Sequence, residues 1–187
     1  DKNYKYEEPI INKRLSMSVD EYGWMCMVDM YRPELCKGNR FTMGLDTIIT
    51  GPMDDILNHN TRIGLCGDPY TPEWVCNAVT LASPEFCEEY WKLWKWKNAA
   101  WINECQIGFK NESTGKEVKA PSEMEVLRMY YNDVDRLDKI FPFRILSYKR
   151  DIAHDIIHPE DASIIYFHGK PKPHQIVNYR WVRRNWV

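Results

Sequence analysis

Apolar and β-branched residues concentrate in a few dense runs, and polar turns separate them. Residues 40–50 carry Phe41, Thr42, Met43, Leu45, Thr47, Ile48 and Ile49, which predicts one buried strand interrupted by Gly44 and Asp46. Gly51-Pro52 ends it, and PMDDIL predicts a short helix with Pro52 in its first turn and Asp54 and Asp55 at the positive end of its dipole. Before this strand, Tyr22, Met25, Met27 or Val28, and Tyr31 recur at loosely helical spacing. VCNAVTLA, residues 75–82, predicts a second buried strand with Asn77 as a polar intruder. Ser83-Pro84-Glu85 then has the chemistry of a helix start, and Phe86, Tyr90, Trp91, Leu93 and Trp94 follow. Residues 108–121 are rich in turn formers and predict a solvated loop. Ser122 and Glu125 have capping-box spacing. Behind them Met124, Leu127, Tyr131, Val134 and Leu137 predict one amphipathic helix. RILSYK and ASIIYFHG predict two short strands. Strands separated by helices predict an α/β fold.

Composition narrows this picture modestly. The 187 residues, 44% hydrophobic, suit one domain with a polar lead over residues 1–18. A net charge of -2 with mixed signs does not indicate a nucleic-acid partner. The six cysteines form no C-x-x-C pair, which argues against a zinc site and fits reduced thiols in a cytosolic setting. No apolar stretch is long enough to span a bilayer and no signal peptide is visible, so no membrane partner is expected. The chain opens at Asp1 rather than Met, as a fragment or a processed product would.

Two polar groups interrupt or end apolar strands: Asp46 in the first and His168 in the last. A carboxylate and an imidazole at strand ends suit a divalent ion such as manganese. After His168 come Gly169, Lys170, Pro171, Lys172 and Pro173. Glycine admits close approach of a phosphate to the backbone, and the prolines restrain the lysines. A lysine about 4 Å from a phosphate oxygen gains on the order of 4 kcal/mol at an effective dielectric of roughly 20. Each residue also has a plainer reading: Asp46 in a structural ion pair, the Lys-Pro repeat as a solvated loop, Asn77 as an amide satisfying a strand edge. Trp24 and Trp74 fit sugar stacking, but core packing is the expected role of both.

Four segments in order resemble GT-A-type, nucleotide-sugar-dependent glycosyltransferases of a group found in phage and bacterial genomes. They are YGWMCMVDMYRPEL, GLDTIITGPMDDIL, SYKRDI and FHGKPKPH. The resemblance implies a GT-A-like, Rossmann-related mixed sheet flanked by helices and incomplete at its N-terminus. It implies transfer of a sugar from a nucleotide-diphosphate sugar to an acceptor it does not specify, assisted by a divalent metal, with manganese the expected ion. By position, Asp46 and His168 match metal ligands, and Gly169, Lys170 and Lys172 match the loop that contacts the diphosphate. Asn77 and Lys149 match donor or acceptor contacts, with Lys149 in a recurring Ser147-Tyr148-Lys149 motif. Glu123 and Glu125 are the weak candidates for a general base. Gly44 stands where the first aspartate of Asp-x-Asp belongs and Met27 where a lysine is usual. These departures motivate a second expectation, a catalytically degenerate binding or structural module.

Overall fold

The computed structural model describes residues 24–35, 37–111, 113–131, 133–154 and 157–186. The polar lead, Tyr22 and Cys36 lie outside them. The chain is mixed α/β, with two mixed sheets, a separate hairpin, and flanking helices.

The first sheet has the order β1-β4-β3-β7, built from Arg40–Met43, Val75–Ala82, Ile63–Gly67 and Asp135–Arg136 for β1, β4, β3 and β7. Only β3–β7 is parallel in it. The second has the order β2-β9-β8, from Thr47–Ile49, Ile164–Tyr166 and Ile145–Ser147. There β8 runs parallel to β9, and β2 antiparallel to it. The run 40–50 is therefore two strands in two sheets. The chain leaves the first at Met43, where Gly44 N–H donates to the Ala78 carbonyl, and enters the second at Thr47. Leu45 between them is 93% exposed. Hydrophobic pattern could not reveal this switch, because both halves are apolar and β-branched.

Strand β9 shows why the second sheet reads as a continuous apolar run. Ile164 and Tyr166 pack between the sheets with Val79, Leu81 and Ile145. Ile165 and Phe167 pack outward with Ile48, Leu146 and Val182 of α5, Arg180–Asn185. Both faces are covered, so alternation of polarity disappears.

Helix α2, Pro84–Glu104, begins as its sequence predicts, with Pro84 in the first turn and the Ser83 hydroxyl accepting from Phe86 N–H at 3.2 Å. Its inner face, Phe86, Tyr90, Trp94 and Trp101, forms an aromatic core with Met25, Val28, Tyr31 and Leu127. Met25–Tyr31 is a 3₁₀ helix rather than an α-helix. The short helix α1 is Asp54–Leu57, and Pro52 precedes it instead of occupying its first turn.

Three expectations fail between residues 106 and 140. The solvated loop is a hairpin, β5 Gln106–Lys110 and β6 Glu117–Pro121, whose turn is held by Asn111 Oδ1 accepting from Ser113 and Thr114 N–H. Turn formers at 111–116 mask short strands on either side. Ser122 precedes α3, Glu123–Tyr130, without a side-chain cap, and Glu125 turns to Arg128 at 2.6 Å, so no capping box forms. Finally, the long amphipathic helix stops at Tyr130, and β7 and α4, Leu137–Ile140, carry the rest of its periodicity. Leu137 is buried as the pattern implies, but from a different element.

Candidate functional site

The C-terminal ends of β3 and β9 and the turn after β8 gather a cationic and aromatic cluster. After β3, GDPYTPEW folds as a turn pinned by Asp68, whose Oδ1 accepts from the N–H groups of Tyr70 at 2.8 Å and Thr71 at 3.0 Å. Its Oδ2 accepts from Arg128 of α3 at 2.8 Å. The Arg128 guanidinium also binds the Val75 carbonyl at 2.9 Å and stacks over Trp74 at 4.9 Å. This fork leaves Tyr70 62% and Trp74 54% exposed, so Trp74 is not a core residue. Trp24 is likewise exposed, edge-on to Phe109 at 4.8 Å.

After β8 the chain makes a single π-helical turn, Tyr148–Ile152. Ser147 N–H donates to Asp151 Oδ2 at 2.7 Å, and Tyr148 stacks on Phe167 at 4.6 Å. That fixes the Ser-Tyr-Lys segment and aims Lys149 outward. Its Nζ donates to the Tyr70 hydroxyl at 2.6 Å. Gly169, with φ +68°, closes over this pair: a Cβ there would lie 3.2 Å from Lys149 Nζ and 3.6 Å from the Tyr70 hydroxyl. The positive φ favours glycine, and a side chain there would also push the Lys149 ammonium aside by a few tenths of an ångström.

Asp46 sits where the chain enters β2, and its carbonyl accepts from Phe167 N–H at 2.8 Å. Its carboxylate is paired with Lys172 Nζ. The question of what an aspartate does in an apolar run has a direct answer: it lies at a strand edge, half-exposed, and holds a lysine of the Lys-Pro segment. Lys170 is exposed and precedes Pro171 through a cis peptide. His168 is half-buried, its ring edge-on to Tyr70 at 5.4 Å. Burial lowers its pKa below the ordinary histidine value, with Lys149, Lys172 and Arg128 adding to the depression and Asp68 opposing it. These effects favour the neutral imidazole, the form whose ring nitrogen can act as a ligand.

The sequence-predicted residues thus divide. Asp46, Lys149, His168, Gly169 and Lys172 belong to one strand-end region, linked by Lys172, which pairs with Asp46 and whose charge reaches His168. Asn77 has another commitment: its amide donates to Glu123, which also accepts from the Tyr31 hydroxyl at 2.8 Å. Glu123 is fully buried, and Glu125 is held by Arg128, so both carboxylates considered as bases are engaged in structure. Asp68, Tyr70 and Arg128 were missed. The Gly-Asp-Pro-Tyr turn signal could have exposed the first two, whereas Arg128 reaches the turn only through the packing of α3.

Among the described residues no three His, Cys, Asp or Glu side chains converge as a metal shell. Nor does any ion pair join Asp46 to His168, whose side chains turn toward Lys172 and Tyr70 respectively. One carboxylate and one neutral imidazole fit a divalent ion only if phosphate oxygens and water complete its coordination. The sequence matches no family model, and no similar curated protein was found. No helix among the described residues is long and apolar enough to cross a membrane.

Proposed function

We propose that the strand-end cluster binds the diphosphate of a nucleotide-diphosphate sugar and that the protein is a GT-A-like glycosyltransferase. The observation that carries the reading is the Lys149–Tyr70–Gly169 arrangement beside Lys172. Two lysines and a glycine with an open backbone face the same strand ends as two exposed aromatic rings. Lys149 and Lys172 neutralise the diphosphate, while Tyr70 and Trp74 offer faces to a base or sugar. A divalent ion, manganese by the resemblance, would be held by Asp46 and His168 and would neutralise charge on the departing diphosphate. The residues bind and orient; an acceptor hydroxyl attacks the anomeric carbon, its proton passes to a departing phosphate oxygen or to solvent, and the nucleoside diphosphate leaves with the bonding pair. A cytosolic location accords with the buried Cys66, Cys76 and Cys105, which lie outside any disulfide.

The Asp46–Lys172 pair favours a second reading, a degenerate module that binds without turnover. The carboxylate expected to hold the metal already has a cation, and Gly44 supplies no second one. Calorimetry with uridine and guanosine diphosphates, with and without manganese, followed by assay of diphosphate release from a panel of donor sugars, separates the two. Metal-dependent binding with turnover supports the enzyme. Binding without turnover supports the module, and no nucleotide binding in the full chain rejects both.

A further inference from the structure

We infer that the outer face of α2 docks the protein onto an anionic lipid bilayer, lying on its surface rather than crossing it. From Tyr90 to Asn103 the helix reads YWKLWKWKNAAWIN, with three lysines, four tryptophans and no carboxylate. The inner tryptophans, Trp94 and Trp101, are buried in the aromatic core. The outward stripe, at the helical spacing i, i+3, i+4 and i+7, is Lys92, Lys95, Trp96 and Ala99, all of them exposed. Trp96 is 77% exposed, with nothing of the core beneath it.

Each ring on this face lies under a cation. Lys97 Nζ sits between Trp96 at 5.2 Å and Tyr130 at 5.4 Å, and Lys95 Nζ lies 5.6 Å from Trp91. Indole rings with ammonium groups over their faces combine the apolar body and the cationic head that a membrane–water interface favours. The carboxylates on this face, Glu85 and Glu88, are confined to the first two turns of α2, so its lysine segment, residues 90–103, carries only positive charge. Glu88 lies one turn before Lys92, Glu104 accepts from the Tyr130 hydroxyl at 3.1 Å, and Glu34 is paired with Arg32.

The charge and shape select the occupant. A single convex helix face meets a flat bilayer well, whereas single-stranded nucleic acid needs a basic groove with successive stacking rings. A second copy pairing through the same stripe would set lysine against lysine. That no described helix is long and apolar enough to cross a membrane says nothing against lying on its surface. This surface is carried by an element that contributes no side chain to the strand-end cluster, so it stands or falls independently of the proposed chemistry.

Sedimentation of the full chain with phosphatidylglycerol–phosphatidylcholine vesicles, compared with phosphatidylcholine alone, tests it. The expected result is binding to the anionic vesicles, weakened about tenfold by Lys92→Glu with Lys95→Glu and by added salt. Brominated lipid quenches part of the tryptophan fluorescence in the parent chain and less in Trp96→Ser. Circular dichroism confirms that both variants fold, which these exposed positions allow. Equal recovery with both vesicle types, or binding unchanged in the variants, overturns the inference. So does oligothymidylate binding that the lysine variant abolishes while vesicle binding persists.

Discussion

Glu123 and Asp46 are both carboxylates in apolar surroundings, and the protein treats them in opposite ways. Glu123 is fully buried and held by neutral donors, the Tyr31 hydroxyl and the Asn77 amide. Burial pushes its pKa up to about 7, against the smaller lowering by those two hydrogen bonds. Asp46 is part-exposed and ion-paired with Lys172, also part-exposed. The first arrangement ties three elements together: the 3₁₀ helix, β4 and α3. The second leaves a charged pair at the surface. A polar residue in an apolar run therefore reads differently according to whether its partner is buried with it or lies at the surface.

The largest effect should fall on the buried member. Glu123→Ala strands the Tyr31 hydroxyl and the Asn77 amide without an acceptor and should cost about 4 kcal/mol in urea unfolding, from two unsatisfied donors. The pH dependence comes next. Because the folded chain holds the Glu123 proton more tightly than the unfolded one, it binds more protons between the unfolded value near 4.5 and about 7. Stability from this group is complete below that window and is lost as pH rises through it, by about 3 kcal/mol. Glu123→Gln should flatten this slope; an unchanged profile would contradict the assignment.

The exposed region should respond in binding more than in stability. Lys172→Ala should weaken diphosphate binding about tenfold, the loss of one charged hydrogen bond, with little change in unfolding midpoint. Gly169→Ala combines left-handed strain of roughly 1 kcal/mol with displacement of Lys149, and calorimetry should show weaker nucleotide binding. Smallest of all, Asp46→Ala should cost less than about 1 kcal/mol in stability, since both partners are part-exposed. A loss comparable to that of Glu123→Ala would erase the contrast between the two carboxylates.

Local chemistry was legible wherever neighbours in sequence are neighbours in space. The bounds of β4, the Ser83-Pro84 start of α2, and the strands around Ile145 and Ile164 all follow from short-range pattern. The acidic first turn of α1 follows too. The hairpin at 106–121 escaped notice because its strands are short and its residues largely exposed, so period-two alternation is weak. Of the strand-end cluster, Asp46, Lys149, His168, Gly169 and Lys172 were named from the sequence. Their grouping rests on contacts between residues separated by as many as 126 positions.

What the sequence determined by itself is the set of local preferences: α/β alternation, the Ser83 cap of α2, the apolar runs, and the presence of lysines and glycine after β9. These depend on backbone sterics and on hydrophobic period, which act over a few residues. Only the tertiary structure decided that residues 40–50 serve two sheets, that Asn77 answers Glu123, and that Arg128 braces the Tyr70 turn. Those outcomes depend on which distant surfaces exclude water together, and a buried polar group takes whichever partner that packing brings within hydrogen-bond reach.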